Sequence, residues 1–445
     1  MKKIILVISI LFLISITDLI SQKNNFDKSQ LYSYGNILFY DYLILPENIK
    51  DSGEVFVFFK ILYDALVFNK VNPTEYPGEF QAIPELEIVY YDSQNIIRSR
   101  MLWRDTIYAR NFDETKSKSK YTYGIIYNKL KNDKYRFTIQ LLTRSKQYSE
   151  IKESKFELKD FNIYDNKVTF GNILYNENEI LFKPIIWNGD INFSSKDIQF
   201  ITLITNIDKN VEYKYNLKKI KSTNINFIDE NTDINGKLEI LKNKTFNNVS
   251  SSKEIKFKIV EDNKSDEILI LKGEIPSQNL STGTYELKIT NNLNSDSLNY
   301  QFEVRWIDMP LSLQDINYAT RAMYYILTDE EYNNLRKGNT NEMIKKLSDY
   351  WKNNDPTPLT PFNEALDQYF KRVDYAFFNF QTIKEQDGTF TNRGKIYILF
   401  GPPDNVENKF LNQRSQEIWQ YKRLNKTFIF EIDDNGKFVL KSIEG

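Results

Sequence analysis

At Met309-Pro310 the hydrophobic period of this 445-residue chain changes from two to about 3.6, and that change bounds its fold. Before it, short apolar or alternating runs are cut by turn residues. Glu54–Lys60, Ala65–Phe68, Leu86–Tyr91, Tyr121–Lys129 and Tyr135–Leu141 are strand candidates, punctuated by Asn72-Pro73, Tyr76-Pro77-Gly78 and Asn132-Asp133. The theme continues at Ile180–Ile186, Ile198–Thr205, Val211–Leu217, Ile255–Val260, Ile268–Lys272, Thr284–Ile289 and Tyr300–Trp306. After it, Leu313–Leu327 and Asn341–Lys352 have helical spacing. Thr328 with Glu331 three residues on is a capping box that starts a helix between them.

At ~150 residues per domain the length allows roughly three domains. Residues 22–165 read as a β-sandwich and 166–308 as a second, immunoglobulin-like one. Leu280–Leu287 is similar to the turn and late strand of that fold, with Tyr285 as a core or corner aromatic. Residues 309–445 read as an α+β domain. Met1-Lys2-Lys3 followed by the apolar Ile4–Ile16 has the form of a signal peptide, with cleavage expected at Ser21-Gln22, so residues 1–21 are expected to direct export. No later apolar run has the ~20 residues of a membrane-spanning helix.

The densest cluster of turns and caps lies between Trp351 and Asp404. Asp355-Pro356-Thr357-Pro358 is a stiff turn, because each proline fixes φ and pushes its predecessor out of the helical region. Thr360 as N-cap and Pro361 as the first helical residue predict an amphipathic helix running to Phe380. Beyond a polar loop with Gly388 and Gly394, Lys395–Phe400 reads as a short buried strand ended by Gly401-Pro402-Pro403. Ile418–Tyr421, Thr427–Ile432 and Lys437–Lys441 complete a small antiparallel sheet, with the last turn at Asp434-Asn435-Gly436.

WKNNDPTPLTPFNEALDQYFKRVDYA, TNRGKIYILFGPPD, EIWQY and FIFEIDDNGKFVL, spread over roughly 310–445, resemble the GWxTD domain of exported proteins from Bacteroidetes-type bacteria. The resemblance implies a module and a compartment, and no mechanism. Gly388 and Thr391 match the naming motif, but Thr389 stands where its Trp belongs and Asn392 where its Asp belongs. Asn tolerates left-handed turns as Asp does, while an amide is no general base.

The chain has no Cys and no His. Disulfides, thiolate nucleophiles, His-containing triads and ordinary zinc, copper or haem sites are therefore out of reach. No cofactor and no metal is expected. The 59 basic against 60 acidic residues create no field toward nucleic acid. Gly388 to Lys395 has five residues between its glycines where a phosphate loop has four, and Ile396 stands where Ser or Thr would hold magnesium. Asn231, Asp233, Asn235, Gly236 and Glu239 have calcium-loop spacing, but Lys242 replaces the bidentate Glu, and Asn235-Gly236 reads more simply as a hairpin turn.

The remaining candidates are Asp355, Glu364, Arg372, Asn392, Arg393 and Asp404, which the loops of the last domain can bring together as a binding surface. Trp351, Phe390 and Trp419 read as core. The leading expectation is an exported, non-catalytic binding or assembly protein, periplasmic, outer-membrane-associated or secreted, with an envelope protein or peptide as partner. One alternative is a carboxylate enzyme, such as a glycan hydrolase working through pairs among Asp355, Glu364 and Asp404. The other is a carbohydrate-binding sandwich, which needs exposed aromatics in a row.

Overall fold

A computed structural model describes residues 37–46, 52–117, 119–142, 151–158, 167–177, 179–205, 211–222, 232–242, 244–261, 268–292, 297–411 and 414–445. The expected signal peptide and Asn231 lie outside them. The chain folds mostly into antiparallel sheets, followed by helices and one small sheet.

The strand Ser52–Leu62 explains the architecture. It is buried almost throughout and reads as a nearly unbroken apolar run, the mark of a strand covered on both faces. It is the centre of a three-stranded sheet, between Leu38–Pro46 and Tyr121–Lys131. One face, through Tyr40, Tyr42 and Phe59, meets Phe137, Phe156 and Trp103 of a four-stranded sheet ordered 151–158, 133–142, 85–91, 97–104. The other face, through Phe39, Leu43, Leu45, Phe56 and Phe58, shares one core with Phe182, Ile201, Phe246, Phe257 and Ile270. Those residues belong to a seven-stranded sheet, whose far side packs on a five-stranded sheet through Phe170, Phe200, Leu217, Tyr285 and Phe302. The two sandwiches thus stack as four layers with a largely apolar seam between them.

An ion pair and a lone amine sit in that seam. Asp41 is buried, with Lys167 Nζ 2.5 Å from its Oδ1 and the Tyr42 amide donating to the same oxygen. The carboxylate beside it holds Lys167 charged against the pull of burial. Lys60 has no such partner among the described residues. Its ammonium nitrogen lies 2.9 Å from the ring centre of Trp187, 4.6 Å from Tyr121 and 5.2 Å from Phe39. Burial pushes its pKa down to about 6.

Several sequence expectations need correction. Asn235-Gly236 is not a turn: both residues lie inside the strand Asp233–Lys237, paired to Tyr213–Ser222. Gly236 is required there because a Cβ would stand 2.2 Å from the ring of Tyr215, which crosses over it. Leu313–Leu327 is not one helix but a 3-10 turn, helix α1 (Ile316–Ala322) and a second 3-10 turn. Helices α2 (Asp329–Leu335) and α3 (Thr340–Asn353) follow, the first with the Thr328–Glu331 capping box in place. Helix α4 spans Glu364–Asn379 and starts later than expected. Asn363 caps it by accepting from the Leu366 amide, while the Thr360 hydroxyl is spent on the Thr357 carbonyl. Lys395–Phe400 is not a strand but most of helix α5 (Asn392–Phe400). The final sheet has four strands, ordered 405–411, 414–421, 426–432, 438–444; its first was not anticipated.

The helical region is joined to the sandwiches by a ring cluster of Phe193, Trp306 and Phe362, with centroids 5.4 to 5.7 Å apart. Asp308 adds bonds to Asn192 at 3.0 Å and Lys371 at 2.9 Å.

Two outcomes follow for stability. The Lys60 amine binds its proton in the unfolded chain below about 10.5 but in the fold only below about 6. Folding stability therefore rises with pH between those values. Lys60→Met, of similar volume, should stabilise the chain by on the order of 3 kcal/mol at pH 6, the rings recovering part of the desolvation cost in the parent, and the gain should vanish near pH 10. Asp41→Asn should cost about 3–5 kcal/mol, because it strands the Lys167 charge. Urea denaturation across pH checks both.

Candidate functional site

The segment Asp387–Asn392 is where α4, α5 and α1 meet, and backbone contact builds it. A Cβ on Gly388 would lie 2.0 Å from the Ala376 carbonyl oxygen of α4. A Cβ on Gly394 would lie 2.0 Å from the Gly388 carbonyl oxygen. Both glycines are thus required by close approach, with no unusual φ involved. The Thr391 hydroxyl donates to the Gly388 carbonyl at 2.8 Å and accepts from the Gly394 amide at 2.9 Å, which caps α5. Thr389 is fully buried. Its hydroxyl lies 2.8 Å from the Tyr318 hydroxyl, and its carbonyl accepts from the Tyr325 hydroxyl at 3.1 Å.

Asp387 completes the cluster, and sequence reasoning missed it. Its carboxylate accepts from the Thr389 amide and the Tyr318 hydroxyl, both at 3.0 Å, with Arg321 3.8 Å away. Burial raises its pKa, and burial with that carboxylate nearby pushes Tyr325 up to about 12. Arg321 stacks over Phe390 at 3.9 Å, leaving Phe390 half-buried. The available signal was the helical spacing of Tyr318, Arg321 and Tyr325 facing an Asp just before the turn glycine. Asn392, the first residue of α5, is exposed.

The other predicted residues do not join this cluster through shared bonds. Asp355 accepts from the Thr357 amide at 2.8 Å, and Glu364 accepts from the Thr357 hydroxyl. Those two acids meet over one threonine. Arg372 donates to the Ile398 carbonyl at 3.2 Å, at the C-terminal end of α5. Asp404 accepts from the Lys422 amide at 2.7 Å. Arg393 is buried, 2.9 Å from Glu417 and stacked 3.9 Å from the Phe438 ring centre. Trp351 and Trp419 are core. In the calcium-spaced segment, Asp233 and Asn235 both accept from the Asn216 amide group, at 2.6 and 2.9 Å, and Glu239 pairs with Lys272. Gly394 lies inside α5, and the glycine spacing and Ile396 still set the segment apart from a phosphate loop.

The arrangement is that of a fastened scaffold: polar side chains pin turns and helix ends. The family model of the GWxTD domain matches residues 285–441. The chain carries a GWxTD domain. The match reaches back into the strands Gly283–Asn291 and Ser297–Arg305, beyond the change of period. In this GWxTD domain the glycine and threonine of the motif, Gly388 and Thr391, act as a close-packing point and a helix cap. No curated protein matches the chain. Among solved structures, a red sea bream transglutaminase is similar over 64% of this chain and 34% of its own, at 9% identity and a TM-score of 0.17. The chain thus spans about a third of that protein's length.

Gly388→Ala should destabilise the helical region by about 3 kcal/mol or more, since the opposing atom is backbone and cannot turn away. Gly436→Ala, at φ +77° with open space around it, should cost only about 1 kcal/mol. Thermal melts of the two variants compare them directly.

Proposed function

We propose that the chain is an exported cell-envelope protein whose GWxTD domain is a non-catalytic docking and assembly module. The observation that carries this reading is the strand Asn405–Leu411. All seven of its residues are exposed, Phe410 at 72%, and among the described residues it forms the edge of its sheet, with a neighbour on one side only. An edge strand with free backbone groups and exposed apolar side chains is a template for an added strand. Asp355, Glu364, Arg372, Arg393 and Asp404 then act as the scaffold that holds this edge, and Asn392 remains at its surface.

Export is supported by the Lys-Lys start and the apolar Ile4–Ile16. The 2.8 Å bond from the Tyr285 hydroxyl to the Ser281 carbonyl supports an immunoglobulin-like reading of the second sandwich. The hydrolase alternative keeps one pair, Asp355 and Glu364, but Thr357 engages both carboxylates, and a backbone amide engages Asp404. For the carbohydrate alternative, the exposed rings of Tyr127 and Tyr175 stand on different sheets, and those of Tyr76 and Phe112 lie outside the strands.

The test is a photo-crosslinking amino acid placed at Phe410 in the full chain, expressed in its own cell type, with Asn435 as the control position. Recovery in the envelope fraction, with a protein adduct from position 410 and none from 435, is expected. A cytoplasmic chain, or no adduct from 410, contradicts the reading.

A further inference from the structure

If the edge strand is a docking element, as proposed above, its own sequence states what fits it. We propose that its occupant is the same strand of a second copy, paired antiparallel about Asn408. Asn405-Val406-Glu407-Asn408-Lys409-Phe410-Leu411 is self-complementary around that residue. A two-fold axis through Asn408 places Glu407 of each copy opposite Lys409 of the other, and Val406 opposite Phe410. Opposed residues of an antiparallel pair share a face. One face of the joint therefore carries two crossed Glu–Lys pairs, and the other carries two Val–Phe pairs.

The register is specific. Moving the axis to Glu407 sets Glu407 against itself, and moving it to Lys409 sets Lys409 against itself. Like charges directly opposite are unfavourable. Glu407 and Lys409 already lie 3.2 Å apart within one copy, so pairing turns two isolated ion pairs into a four-charge network. On the apolar face, Val406 is opposite Trp419 of the adjacent strand, which is buried beneath α4 and α5. Val406 and Phe410 extend that face past the edge of the helices. Joining the two copies converts two four-stranded sheets into one continuous sheet, with the helices of both copies on the same side.

The chain contains no cysteine, which gives a clean test. In the proposed register Asn408 faces its own counterpart at a separation a disulfide spans. Asn408→Cys in the full chain, under mild oxidation, should form covalent dimer at least roughly tenfold faster than the exposed control Asn435→Cys. Adding Glu407→Lys should slow that dimerisation by roughly tenfold, and adding Lys409→Glu to the pair should restore it. A rate equal to the control, or no restoration by the charge swap, overturns the proposal. If Asn408→Cys fails while photo-crosslinks from position 410 mark a different protein, the docking function stands and the second copy is excluded. If neither appears, both fall.

Discussion

The GWxTD domain depends on one contact in which side chains play no part: the Gly388 backbone lying against the Ala376 carbonyl of α4, with Gly394 of α5 lying against Gly388 in turn. Close packing of this kind leaves no room for a methyl group. It brings α4 and α5 together at their ends, and Thr391 then closes α5 at the same point. Phe380 and Tyr397, held on these helices, supply the rings that cover Trp419 of the sheet. The naming motif of the family thus works here as a joint. The departures at Thr389 and Asn392 fit that role: Thr389 replaces bulk with a hydroxyl bonded to Tyr318, and Asn392 needs only to begin a helix from the surface.

The four-layer β-structure makes the opposite compromise. Covering both faces of the strand Ser52–Leu62 buries a large apolar area, but it also traps Asp41 and Lys60. Asp41 is matched by Lys167, and among the described residues Lys60 is met by rings alone. Polar groups retained at such a seam are weak evidence for stability. They do specify register, because a slip of one residue would move both to the opposite face.

Much of the β-structure was legible. Glu54–Lys60, Tyr135–Leu141 and Thr284–Ile289 fall inside observed strands, because alternation or a long apolar run survives in the sequence. Lys395–Phe400 was misread for a physical reason: a short apolar run is compatible with either a buried strand or a buried helix. What decides it is the Thr391 cap and the room made by Gly394, both of which depend on tertiary contact. The start of α4 slipped because Thr360-Pro361 is a good helix start on its own, and Asn363 was a competing cap. The edge strand left no signal, since exposure of all seven residues erases alternation. Of the predicted site residues, Asp355 and Glu364 do meet, over Thr357. Asp387 is harder to read, because its partners come from α1, some seventy residues away, and only their helical spacing marks them.

Hydrogen–deuterium exchange on the full chain measures the division between joint and edge most directly. The account predicts that the amides of Thr389, Thr391 and Gly394 open only with global unfolding and do not respond to protein concentration. Those of 405–411 that point away from the neighbouring strand should exchange quickly in dilute protein and slow as it is concentrated. Rapid exchange at 388–394, or an edge strand protected at every dilution, would contradict it.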